Sequence, residues 1–197
     1  AGPLGRRFAT PAALAEAVAA RVTAGRVLAV ARGRAEFGPR ALGGRSLLAS
    51  PRTRASRDRV NALKGREAWR PVAPIVLEGA EVWFEDLVPS PHMILTFRGT
   101  PRAQREIEGV LHEDGTARVQ TVGPRDDAFL RSLLERLEAR GEPPVVINTS
   151  LNRPGEPIVN TAAEALAAAE AMDVDGIALG DWLVDRRPWS GEDAAPG

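Results

Sequence analysis

The chain has 197 residues, enough for one well-buried α/β domain and short for two. Its 26 basic and 26 acidic residues cancel, so bulk charge gives no reason to expect a nucleic-acid partner, although a local arginine cluster could still take a phosphorylated small molecule. With no cysteine and two histidines, His92 and His112, disulfides, thiolate nucleophiles and Cys/His zinc sites are excluded within this chain, and no apolar run approaches the roughly 20 residues of a membrane span.

Residues 1–7 lack the apolar core of a signal peptide and begin at Ala1 rather than methionine, which leads to the expectation of a processed chain or a piece of a longer one. Thr10-Pro11 reads as a helix start, with Thr10 as the cap and Pro11 where a missing N–H costs nothing. Leu14, Val18 and Val22 then mark one apolar face, and Gly25 supplies the stop. The apolar run 27–31 has strand length and follows as a buried strand.

Residues 32–46 hold four glycines, one proline and four arginines, a density that no regular element tolerates. Glycines let backbone N–H groups approach an anion and arginines close on it bidentately, so this stretch reads as an anion-binding loop carrying Arg40 and Arg45. It fits neither the Rossmann spacing nor a Gly-Lys-Ser/Thr ending.

A helix over 54–63 leads into Lys64, the only lysine among 26 basic residues, which suggests a position needing a compact ammonium rather than a planar fork. If residues 64–66 are extended, Lys64 and Arg66 point to one side and present two cations to one anionic ligand. Residues 72–77 read as a strand that Pro74 confines to an edge or a bulge, and residues 93–97 as a clearer one. After a turn at Asp114-Gly115, alternation over 117–122 puts Arg118 and Gln120 on one strand face.

Phe129, Leu130, Leu133, Leu134 and Leu137 mark an amphipathic helix ending at Gly141. The buried strand 145–147 runs straight into polar residues, with Asn148, Ser150 and Asn152 on alternate positions at the strand end, where open α/β sheets bind ligands. Thr161 and Glu164 form a capping box on a last alanine-rich helix, 176–184 is one more strand with its turn, and the polar tail from Pro188 is expected to be poorly ordered. There is no repeat and no linker. Alternating helices and strands give one α/β domain.

Lys64-x-Arg66 followed far downstream by Ser150-x-Asn152 resembles the signature of YrdC-like domains. The text around it is similar to the C-terminal domain of the O-carbamoyltransferases that decorate antibiotics and nodulation factors. The matching stretches are Glu36-Phe37-Gly38-Pro39-Arg40-Ala41-Leu42, Arg45-Ser46, Arg66-Glu67 with Trp69-Arg70-Pro71, Asp114 to Arg118 with Gln120-Thr121-Val122, Asn148-Thr149-Ser150 with Asn152, and Gly155 to Val159. Departures from the family pattern are Gly44 for Asn, Ser50 for Asp, Ala68 and Val72 for aromatic residues, and Leu151 for Phe.

The resemblance implies a YrdC-like twisted mixed β-sheet with helices on its faces over residues 26–187. Residues 1–25 would be the end of a connection from an N-terminal actin-like domain, and 188–197 a polar tail. It implies a cytoplasmic carbamoyltransferase domain that uses carbamoyl phosphate and ATP, with the Mg2+ that accompanies ATP, to form carbamoyl adenylate for transfer to a natural-product hydroxyl. It also implies catalytic roles for Lys64, Arg66 and Arg118, and nucleotide or carbamoyl phosphate contacts from Arg40, Arg45, Gln120, Asn148, Ser150 and Asn152, with no metal ligands of the chain's own. Two other readings stay open: a nucleotide- or phosphate-binding partner subunit without turnover, and synthesis of threonylcarbamoyl adenylate. General bases for transfer are scarce, His112, Glu36 and Glu156 being the candidates, so the chain alone is expected to make carbamoyl adenylate and lose it to hydrolysis.

Overall fold

The computed structural model describes residues 5–189; the tail expected to be poorly ordered falls, from residue 190 on, outside the described residues. Short strand β1 (Arg6–Arg7) leads into α1 (Pro11–Thr23), whose cap is the Thr10 hydroxyl, accepting from the Ala13 N–H at 3.1 Å. Strands β2 (Leu28–Ala31) and β3 (Arg45–Ala49) follow, so Arg45 and Ser46, expected in the loop, begin a strand instead. Next come α2 (Arg54–Leu63), β4 (Ala73–Leu77), β5 (Thr96–Arg98), α3 (Pro101–Glu106), β6 (Thr116–Arg118) and β7 (Gln120–Val122). The chain closes with α4 (Ala128–Ala139), β8 (Val145–Ser150), α5 (Ala162–Ala171) under the predicted Thr161/Glu164 capping box, and a hairpin of β9 (Gly176–Leu179) and β10 (Trp182–Asp185) where one strand was expected.

Eight strands form one mixed sheet in the order β1-β10-β9-β2-β3-β8-β4-β7, with β9/β2 and β4/β7 parallel and the other pairs antiparallel. A two-stranded sheet of β5 and β6 lies apart from it. Period-two alternation sorts the core onto two faces. Leu28, Val30, Leu48, Ile75 and Val146 face the pair α1 and α4, with Leu14, Val18, Leu133 and Leu134 opposite. Ala29, Leu47, Val76, Val145 and Ile147 face the other way, toward Val60 of α2, Ala165 and Ala168 of α5, and the segment carrying Trp83, Phe84 and Ile107. Helix α1, placed by the sequence in a connecting segment, thus shares a core with α4.

Three local expectations are corrected. Pro74 lies on an interior strand, between β8 and β7, rather than at an edge. The parallel ladder to β7 starts only at Ile75, so proline's missing N–H falls outside it. The strand expected at 93–97 shrinks to β5, because Met93 adopts a left-handed backbone (φ 57°) that ends any extended run there. The run 117–122 is two strands broken at buried Val119, with β6 in the small sheet and β7 in the large one.

The two-faced core makes a stability test. Leu134 is fully buried between α4 and the sheet, whereas Leu166 on α5 is 44% exposed. Leu134→Ala should cost about 2–5 kcal/mol in urea denaturation, and Leu166→Ala within about 0.5 kcal/mol.

Candidate active site

Lys64 does not lie on an extended segment. It is the C-cap of α2 (φ −86°, ψ 2°), and Gly65 at φ 59° turns the chain sharply away, so Lys64 and Arg66 converge from a helix end rather than along a strand. The ammonium crosses to the end of β8, within 2.8 Å of Asn152 Oδ1, 3.2 Å of the Asn152 carbonyl and 3.3 Å of Ser150 Oγ, and also donates to the Ser150 carbonyl. Three protons facing four oxygens leave Lys64 none to spare for a ligand unless a bond is exchanged. The ammonium is buried and beside a like charge. Burial first, then the Arg66 guanidinium, lower the amine to about 8.

Asn61, which the sequence analysis left without a role, is fully buried one helical turn before Lys64. Its Nδ2 donates to the Ala68 and Arg70 carbonyls at 2.9 and 2.8 Å, and its Oδ1 accepts from Arg66 Nε at 2.7 Å. One amide thereby fixes both the 66–70 turn and the Arg66 side chain. A weak helix former inside α2 was the available signal.

At the C-terminal end of β8 a cleft open to solvent is lined by Arg40, Arg66, Arg118, Asn148, Thr149 and Ser150 with Pro39, Pro71 and Met93. No carboxylate lines it. Among the described residues none of the three guanidiniums has a carboxylate oxygen within 4.0 Å. Burial and the neighbouring Arg40 lower the Arg118 pKa, burial and Arg70 lower that of Arg66, and Arg118 Nε is buried with no hydrogen-bond partner among the described residues. Uncompensated cations and an orphaned donor on one wall are what an anion would relieve.

Behind the cleft a row of neutral groups sets its floor. Gln120 Nε2 donates to the Leu42 carbonyl at 2.8 Å, and Gln120 Oε1 accepts from Asn148 Nδ2 at 2.9 Å. Asn148 Nδ2 also donates to the Ala41 carbonyl at 2.8 Å. These side chains meet across β4, where buried Ala73 opposes Asn148 and offers only a methyl. Ser150 Oγ donates to Asn152 Oδ1 at 2.6 Å, so Asn152 shapes the strand end from behind.

The glycine-rich loop departs from expectation. The Leu42, Gly44 and Arg45 N–H groups all donate to the Glu36 carboxylate, at 2.7, 2.8 and 3.1 Å, and Gly43 N–H donates to Ser46 Oγ. The anion that fills this nest is the protein's own. Arg45 is spent in the same way: Nε reaches the Asn160 carbonyl, Nη1 those of Arg32 and Gly44, and Nη2 those of Gly33 and Asn160. All five donors being used, Arg45 braces the loop and does not face the cleft. Of the predicted residues, Arg40, Arg66, Arg118, Asn148 and Ser150 line the cleft, Lys64, Gln120 and Asn152 support it, and Arg45 stands outside.

The candidate bases lie elsewhere. His112 borders a separate depression with Arg54, Arg98 and Glu108, bonded to Thr116 Oγ1 at 3.1 Å, its pKa lowered chiefly by burial. Glu36 is committed to the loop, and Glu156 pairs with Arg153, whose hydrogen bond lowers the carboxyl pKa.

A profile described as "Carbamoyltransferase C-terminus" matches residues 19–186. The chain belongs to that family. This carbamoyltransferase C-terminal domain is 40% identical over 176 residues to nodulation protein NolO of Bradyrhizobium diazoefficiens, covering 86% of this chain and 32% of that protein. It is 41% identical over 167 residues to the 3'-hydroxymethylcephem-O-carbamoyltransferase of Streptomyces clavuligerus, covering 84% of this chain and 32% of that enzyme. The chain therefore spans about a third of the length of these relatives. Its fold matches full-length HypF "in the phosphate- and nucleotide-bound form" (TM-score 0.61, 17% identity, 89% of this chain and 22% of that one) and P. abyssi Sua5 (TM-score 0.60, 19% identity, 85% and 48%), which is the YrdC-like architecture expected. No helix among the described residues is long and apolar enough to cross a membrane.

The lowered amine of Lys64 gives the site a pH signature. Its folded value of about 8 lies below the ordinary 10.5, so the ammonium is present below pH 8 and lost above it. Sulfate, whose charge is constant from pH 7 to 9, should bind about three- to tenfold more weakly at pH 9 by calorimetry. An equal drop in Lys64→Met would place the titrating group elsewhere.

Proposed function

We propose that the arginine cleft forms carbamoyl adenylate from carbamoyl phosphate and ATP, supplying the carbamoyl group for O-carbamoylation of a natural-product hydroxyl. The observation that carries this reading is the convergence of Arg40, Arg66 and Arg118 on one cleft without a carboxylate. Two phosphorylated substrates and a developing pyrophosphate need cations at several oxygens, and a preorganised guanidinium supplies them without rearrangement during reaction. Family membership and the two named relatives support the carbamoyl group, and the phosphate- and nucleotide-bound form of HypF supports a nucleotide on this fold.

The steps balance as follows. Water cleaves carbamoyl phosphate to carbamate and phosphate. A carbamate oxygen then attacks the α-phosphorus of ATP, forming the mixed anhydride as the bond from that phosphorus to the β-bridging oxygen breaks and pyrophosphate leaves. Arg118 and Arg40 would hold the carbamoyl phosphate oxygens, and Arg66 the nucleotide phosphates beside the Ser150 hydroxyl. Lys64 would act through the β8 terminus it anchors, exchanging a carbonyl for a phosphate oxygen only when substrate arrives. The described residues hold no group of three or more His, Cys, Asp or Glu suited to a metal, so Mg2+ fits as an ion carried in on ATP phosphates, where it would neutralise charge. Hydroxyl transfer would fall to an actin-like domain in the same or another chain. A cytoplasmic location follows from the substrates of this scheme.

Pyrophosphate exchange into ATP tests the reading, because it requires adenylate formation alone. Exchange should depend on carbamoyl phosphate and fall about a hundredfold in Arg118→Ala, with folding kept. Lys64→Arg should also lower it steeply, since a planar fork cannot replace a point donor among four converging oxygens. Exchange at the level of buffer from folded protein with Mg2+ present would instead mean a binding module without turnover.

A further inference from the structure

The cleft holds one buried acceptor that its chemistry has not used. Asn148 is 1% exposed on the cleft floor, and among the described residues no hydrogen-bond donor reaches its Oδ1. Its orientation is settled by its neighbours rather than by the amide itself. The Leu42 carbonyl accepts only, so Gln120 must turn its NH2 toward Leu42 and its Oε1 toward Asn148. Asn148 then faces two acceptors, Gln120 Oε1 and the Ala41 carbonyl, and both require its NH2. Rotating Asn148 by half a turn would set oxygen against oxygen twice. Nδ2 is therefore fixed toward Gln120 and Ala41, which leaves Oδ1 the unpaired end of a side chain that lines the cleft.

Around this acceptor the side chains of the cleft give only donors or hydroxyls already engaged. Guanidiniums cannot accept a hydrogen bond, Thr149 Oγ1 accepts from Arg66, and Ser150 Oγ takes part in bonds with Lys64 and Asn152. An oxyanion suits every cation here and does nothing for Oδ1, which needs a hydrogen-bond donor. We propose that Asn148 Oδ1 is the specificity element of this site, accepting a hydrogen bond from the NH2 of carbamoyl phosphate and carrying it over to carbamate. Arg40 and Arg118 read its oxygens, and one amide oxygen reads the nitrogen. Its depth favours a small amide over the exocyclic amine of a base, which would have to bring its whole ring to the floor.

The inference rests on carbamoyl phosphate being the ligand, and predicts rejection of acetyl phosphate, which has the same shape with a methyl in place of NH2. Acetyl phosphate offers no proton there, so it leaves unpaired a buried acceptor that carbamoyl phosphate would satisfy.

The test is calorimetric binding of carbamoyl phosphate and acetyl phosphate to the wild-type chain and to Asn148→Leu, with pyrophosphate exchange run in parallel. The wild type should prefer carbamoyl phosphate by about tenfold to a hundredfold, and Asn148→Leu should bring that ratio near unity. A purely structural asparagine would weaken both ligands equally and leave the ratio intact, which would overturn the proposal, as would a wild-type ratio near unity. A variant that lost ATP affinity with the ratio unchanged would also reject it, assigning Oδ1 to the base. Should Asn148→Leu not fold, Gln120→Leu supplies the contrast: it removes one of the two acceptors that orient Asn148, and the ratio should fall without the arginines being touched. Selectivity without exchange would reject adenylation and keep the amide subsite, whereas exchange without selectivity would do the reverse.

Discussion

The cleft depends on holding several cations together with neutral oxygens instead of carboxylates. Elsewhere the chain neutralises arginine in the ordinary way, as in Arg21 with Asp185 at 2.6 Å and Arg59 with Asp175 at 2.7 Å. At the end of β8 it does not. Lys64 is held by the carbonyls of Ser150 and Asn152, and Arg66 by the amide of Asn61. A carbonyl dipole steadies a cation while leaving its charge in place, so the field in the cleft stays available to an incoming anion. The cost is mutual repulsion and desolvation, visible in the lowered pKa values of Lys64, Arg66 and Arg118.

The glycine-rich loop extends the same economy of charge. Its backbone N–H groups close on Glu36 and its carbonyls on Arg45, so one internal anion and one internal cation stiffen a segment with no helix or strand over 32–44. Gly43 is needed here for two reasons. Its φ of 106° disfavours any side chain, and a Cβ would stand 2.4 Å from Leu130 Cδ1. Stiffness matters because Ala41 and Leu42 present the carbonyls that orient Asn148 and Gln120. Glu36, five residues beyond the end of β2, thus steadies the two carbonyls that Asn148 and Gln120 meet.

Much of this was legible from the sequence where the signal is local. Caps at Thr10 and Thr161, the apolar stripe of α4 and the β8 run into Asn148 and Ser150 depend on neighbours within a few residues. Signals that depend on a distant partner were not. Pro74 reads as an edge residue until the staggered start of the β7 ladder is known. Arg45 reads as an anion ligand because its carbonyl partners include Asn160, 115 residues away. Lys64 stands out in the sequence as the one lysine, but its backbone is misjudged there, since the helix-end turn at Gly65 brings its ammonium to β8 by a route that residue spacing alone does not describe.

The difference between lysine and arginine also accounts for where the one lysine stands. In a buried, like-charged site an ammonium falls to about 8, close enough to neutrality that its charge would vary with cellular pH. A guanidinium keeps its charge through such burial, so the cleft-lining positions, Arg40, Arg66 and Arg118, suit arginine. The support position has the opposite requirement: three donors fanned over a small radius onto oxygens of Ser150 and Asn152, where a planar fork would not fit. A neutral amine can still donate two of those bonds, so the strand end keeps its shape even when Lys64 loses its proton. Charge is thereby entrusted to arginine and geometry to lysine, which makes Lys64 sensitive to a substitution that conserves its charge.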